Sequence, residues 1–71
     1  MAKFDVVFKK TENNDTDVIV HVNDNKGTWL HTRIYAHTTE KEMRHSLVAF
    51  SRDVCKRTNL DLAEVQAELL K

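Results

Sequence analysis

The single glycine of this chain, Gly27, lies between two runs of alternating apolar residues, and that placement constrains the fold more than any other feature. Before it, Val18, Val20 and Val22 alternate with Asp17, Ile19, His21 and Asn23. After it, Thr28 to His37 places Leu30, Ile34 and Ala36 on one face and Trp29, His31, Arg33, Tyr35 and His37 on the other. Period two on both sides of a residue suited to positive φ describes a β-hairpin. With Asn25, Lys26 and Gly27 as a three-residue loop, Asp24 faces Thr28, and Val22 meets Leu30, Val20 meets Thr32 and Val18 meets Ile34. The same register sets His21 opposite His31, Ile19 opposite Arg33 and Asp17 opposite Tyr35. A slip of one residue would carry the valines to the side of Trp29, so pattern and turn chemistry agree on the faces.

An earlier run, Phe4, Val6 and Phe8 alternating with Asp5, Val7 and Lys9, reads as a first strand. The polar stretch Lys10 to Thr16 between it and the second strand reads as a mobile loop. Thr39-Glu40-Lys41-Glu42 is a capping box, and Met43, Leu47, Phe50 and Val54 behind it form an apolar helical stripe, with Val48 and Cys55 to one side. Asp61-Leu62-Ala63-Glu64 reads as a second capping box, and Leu62, Val65 and Leu69 share a face of a helix too short to stand alone, so it needs to dock on the first helix or on a partner. The expected fold is α+β: a three-stranded antiparallel meander, in the order β-β-β-α-α, with one long and one short helix covering one sheet face while the other stays open. A single domain over residues 1–71 buries only about 60% of its unfolded surface, so the core is thin.

Formal charge is zero overall but unevenly placed. Residues 1–25 carry three lysines against five acids, residues 26–57 seven Lys or Arg against three acids, and residues 58–71 one lysine against three acids. The basic middle also holds His31, His37 and His45, which add positive charge when protonated. One cysteine without a partner, no metal-module spacing, no signal-like N-terminus and no run of 18 apolar residues point to a soluble, unprocessed cytoplasmic chain.

Nothing in the pattern suits catalysis. No serine sits in a nucleophile elbow, no glycine-rich loop cradles phosphate, and Cys55 falls inside a helix rather than at an N-terminus that would activate it. Two imidazoles, His21 and His31, facing each other across strands raise the question of zinc or copper. A structural site wants four ligands, however, and the nearest candidates, Asn23 and Asp17, are not habitual partners, so no metal and no cofactor is expected.

Binding is the better reading. Trp29, His31, Arg33 and Tyr35, with His21 beside them, combine the aromatic and arginine types that anchor protein interfaces. The same residues could stack bases and neutralise phosphate, which makes nucleic acid the alternative partner, and a homodimer pairing two open sheet faces is a further one. A secondary basic face, Lys41, Arg44, His45, Arg52 and Lys56, runs along the first helix opposite its apolar stripe, and the acidic final helix is placed to cover part of it. No membrane partner is expected.

The passage Ile34-Tyr35-Ala36-His37-Thr38-Thr39-Glu40 resembles the strand-to-helix crossing of small phage-encoded inhibitors of bacterial RNA polymerase. That resemblance implies a compact, non-enzymatic α+β protein that acts by occupying the surface of a host protein.

Overall fold

The computed structural model describes residues 3–71. Three antiparallel strands form one sheet in the order β1-β2-β3, with β1 at Phe4–Lys10, β2 at Thr16–Val22 and β3 at Trp29–Ile34. Two helices follow, α1 at Glu40–Arg57 and α2 at Leu62–Leu69, making a small α+β protein. The sheet belongs to a compact unit that ends at His37, and the helices to a second that begins at Thr38.

Within the sheet, period-two alternation sorts the faces as expected. Val18 and Val20 are fully buried and Leu30 and Ile34 nearly so, while Trp29, His31 and Arg33 between them are exposed. The apolar side of β1 is less protected: Phe4 and Val6 are half-buried and Phe8 keeps 51% of its surface. As an edge strand, β1 has a neighbouring strand on one side only, so Phe8 is flanked within the sheet by β2 alone.

The pairing of β2 with β3 corrects the expected register by two residues. Val20 faces Leu30, Val18 faces Thr32 and Thr16 faces Ile34. The cause lies in the turn, where Asp24 does not pair with Thr28. Its carboxylate accepts hydrogen bonds from the Lys26 and Thr28 amides at 3.1 and 3.0 Å and from the Thr28 hydroxyl at 2.7 Å. An aspartate that bonds to the backbone two and four residues on folds the loop around its own side chain and leaves the ladder. The Val22 amide then donates to the Thr28 carbonyl at 2.8 Å, so the loop spans 23–27. Gly27 does take positive φ, +65°, and no strand geometry at that position is required of it. A shift of two preserves every face and changes every partner.

The segment read as a mobile loop shrinks to 11–15, because Lys10 and Thr16 are paired strand residues. Thr11 closes it: its amide donates to the Asp15 carbonyl at 2.8 Å and its hydroxyl accepts from the Asp15 amide at 3.2 Å. Asn14 takes the left-handed φ of 66° that an asparagine tolerates. Asp15 then reaches across to the far side of the sheet, where its carboxylate accepts from the Ala36 amide at 2.9 Å. Strand β3 ends at Ile34 because β2 begins at Thr16 and offers no partner beyond. Tyr35, Ala36 and His37 therefore fall outside the ladder, and Ala36, expected on the core face, is exposed.

Helix α1 starts with the expected capping box. The Thr39 hydroxyl accepts from the Glu42 amide at 3.2 Å, and the Glu42 carboxylate accepts from the Thr39 amide at 3.2 Å and from its hydroxyl at 2.8 Å. Leu47, Phe50 and Val54 are buried and Met43 half-buried. At the other end, the Thr58 hydroxyl donates to the Val54 carbonyl at 2.8 Å and accepts from the Leu60 amide at 3.2 Å, which ends the helix and turns the chain.

Helix α2 departs from expectation in two places. Its cap is one-sided: Asp61 accepts from the Glu64 amide at 3.2 Å, with no return bond from Glu64 among the described residues. A carboxylate at the cap repels the carboxylate that would reach back, whereas the Thr39 hydroxyl donates to its partner. Val65 and Leu69 are buried, but Leu62, placed on the same face by sequence, stays 38% exposed. The helix docks on α1 through a group the apolar stripe does not include. Ser51 is fully buried, donates to the Val48 carbonyl at 2.6 Å and accepts from the Gln66 side-chain amide at 3.2 Å.

Candidate binding face of the sheet

The observed register arranges the exposed side of the sheet in three cross-strand rows. Asp5, His21 and Trp29 form one, Val7, Ile19 and His31 the next, and Lys9, Asp17 and Arg33 the third. His21 thus lies opposite Trp29 rather than His31, which removes the facing pair of imidazoles on which a shared metal would depend. Among the described residues, no three His, Cys, Asp or Glu side chains converge as a metal site.

Asp17 organises the face. The sequence placed it opposite Tyr35, but it lies opposite Arg33 and diagonal to His31. Its Oδ1 accepts from Arg33 Nε at 2.8 Å and lies 3.0 Å from His31 Nε2, and its Oδ2 is 3.4 Å from Arg33 Nη2. The Arg33 bond first, and the His31 bond after it, hold the Asp17 carboxyl down to about 2, and Asp17 in turn raises the Arg33 guanidinium. A forked guanidinium bound edge-on to a carboxylate is fixed in orientation as well as charge.

Around that fixed pair the aromatic residues are left uncovered. Trp29 is 62% exposed and Tyr35 66%, with Val7 also exposed on β1. The structure therefore brings Trp29, His31, Arg33 and His21 together on one sheet face, as the alternation implied. Tyr35 and His37 follow the end of β3 and are not held by its ladder. The residue that sequence reasoning missed as an organiser is Asp17. Its signal was present as an acid alternating onto the aromatic face, but its partner depended on the register.

The five residues of the secondary basic face, Lys41, Arg44, His45, Arg52 and Lys56, are all exposed along α1. Cys55, half-buried in the same helix, has its thiol pushed up by burial and then by the charge of Asp61, the opposite of an activated nucleophile. No helix among the described residues is long and apolar enough to cross a membrane. Comparison with protein-family models, curated proteins and solved structures found no match.

Proposed function

We propose that this chain is a small non-enzymatic binding protein, of the kind phages direct at host proteins, that modulates its partner by occupying the partner's surface with the exposed sheet face. The observation that carries the reading is an uncovered aromatic ring, Trp29, on the same sheet face as an arginine already oriented by Asp17, with a second exposed ring, Tyr35, just past the end of β3. Rigid aromatic and arginine side chains bury large area at low entropy cost, and such residues dominate the energetics of protein interfaces. The cytoplasm, where such host targets work, is the compartment this reading implies.

The same geometry supports a protein as the partner. Asp17 already offsets the charge of Arg33, so phosphate gains less from this face than from a free arginine, whereas a protein surface can pack against the pair as it stands, which favours protein over nucleic acid here. The test compares wild type with a Trp29→Ala, Arg33→Ala double variant in an affinity pulldown from bacterial lysate, with and without nuclease, followed by titration of the recovered partner. The expected result is a nuclease-resistant protein whose binding weakens by about 2 kcal/mol or more in the variant. Equal binding by the variant, or recovery of nuclease-sensitive material alone, would refute the reading.

A further inference from the structure

We propose that the exposed face of α1 is a second, separate binding surface, one that takes the phosphate backbone of a nucleic-acid duplex. The inference goes beyond the sheet face and does not rest on it. At 100° per residue, Lys41, His45, Arg52 and Lys56 fall within about 60° of one another around the helix, on the side away from Leu47, Phe50 and Val54, with Arg44 flanking them. From Lys41 to Lys56 the strip runs about 22 Å.

Its charge is uncompensated. Among the described residues Lys41, Arg44, Arg52 and Lys56 make no ion pair, although the chain carries as many acids as Lys and Arg residues. Several of the acids are engaged in other contacts. Glu42 turns to the Thr39 cap, Asp53 holds Arg57 at 3.4 Å, Asp17 holds Arg33, and Asp24 closes its own loop. No acid of residues 58–71 forms an ion pair with the strip among the described residues: Asp61 caps α2 and Glu68 pairs with Lys71 at 3.2 Å. The molecule thus presents Lys41, Arg52 and Lys56 along one line, with His45 among them and Arg44 flanking it, beside an open depression lined by Lys41, Glu42, Arg44, His45, Ser46 and Val48.

Two kinds of polyanion could meet such a line, an acidic protein surface or phosphate. The strip has no aromatic residue, and its one larger apolar side chain, Val48, is half-buried. It lacks the anchors that give a protein interface its energy, whereas a phosphate backbone needs only charge at this spacing. The sheet face has the converse make-up, aromatic rings with a neutralised arginine, so the two surfaces suit different partners.

The experiment titrates the full chain into a fluorescently labelled mixed-sequence DNA duplex of about 24 base pairs, reading anisotropy at several salt concentrations. Four phosphate contacts predict that affinity falls roughly 150-fold between about 50 and 200 mM salt. An Arg44→Gln, Arg52→Gln, Lys56→Gln variant is expected to bind at least roughly tenfold more weakly at low salt, with its salt dependence reduced to that of about one contact. A Trp29→Ala variant should bind the duplex as wild type does, which separates this surface from the sheet face. The charge control is Lys3→Gln, Lys9→Gln, Lys26→Gln, which removes equal charge outside the strip, and circular dichroism confirms that each variant is folded. The proposal is overturned if the strip variant binds like wild type, if the charge control is equally damaging, or if polyglutamate binds the strip more tightly than the duplex does.

Discussion

Replacing Ser51 tests whether α2 is seated by a polar contact rather than by apolar packing alone. The hydroxyl is fully buried, donates to the Val48 carbonyl at 2.6 Å and accepts from the Gln66 amide at 3.2 Å. In Ser51→Ala the lost hydrogen bonding costs about 1 kcal/mol, and the better helix propensity of alanine offsets about 0.5 kcal/mol of it. Gln66 is half-buried, so its freed amide reaches water and adds little. With an unfolding entropy of about 2.1 cal/mol/K per residue, 71 residues give about 0.15 kcal/mol/K, and the net change lowers Tm by about 3 °C. Ser51→Val places extra carbon where there is no exposure, at a cost of about 1 to 3 kcal/mol, or roughly 7 to 20 °C. Thermal melts followed by circular dichroism of Ser51→Ala, Gln66→Ala and the double variant complete a cycle whose coupling should be about 0.5 to 1 kcal/mol. Strict additivity, or a valine variant more stable than wild type, would refute the argument that this contact seats the helix.

Two further outcomes follow from the caps and the ion pair. Thr39→Ala removes the acceptor for the Glu42 amide and should cost about 1 kcal/mol, a fall of about 7 °C in Tm, with faster amide exchange in the first turn of α1; Thr39→Ser should retain most of both. The Asp17 carboxyl, held down to about 2 by Arg33 and His31, contributes stability that is complete above the ordinary carboxylate range and is lost as pH falls from about 4 towards 2. An NMR titration should find its midpoint near 2 in wild type and higher in Arg33→Gln, and a wild-type midpoint near 4 would break the assigned pairing.

The features legible without coordinates are those set by local periodicity and local hydrogen bonding. Alternation placed Val18, Val20, Leu30 and Ile34 on a buried face and Trp29, His31 and Arg33 on an exposed one. Thr39 and Glu42 announced the start of α1, because a cap is decided within four residues. The lone glycine marked its turn, and its positive φ is as expected.

Tertiary structure alone decided which residues became partners. A two-residue change in register leaves every side chain on the same face, so the hydrophobic pattern cannot distinguish the alternatives, and the Asp24 carboxylate made the choice by bonding Lys26 and Thr28. That choice gave Asp17 to Arg33 instead of Tyr35 and separated His21 from His31. Ser51 was invisible for a related reason: a serine within an amphipathic helix shows no sign of burial until a Gln66 arrives from another helix to meet it. Residue types and their spacing determined the faces and helix starts of this protein. The pairing of Asp17 with Arg33, sixteen residues apart, depended on which of the registers that the pattern leaves equivalent the strands adopted, and there the loop around a single side chain, Asp24, was enough to tip the balance.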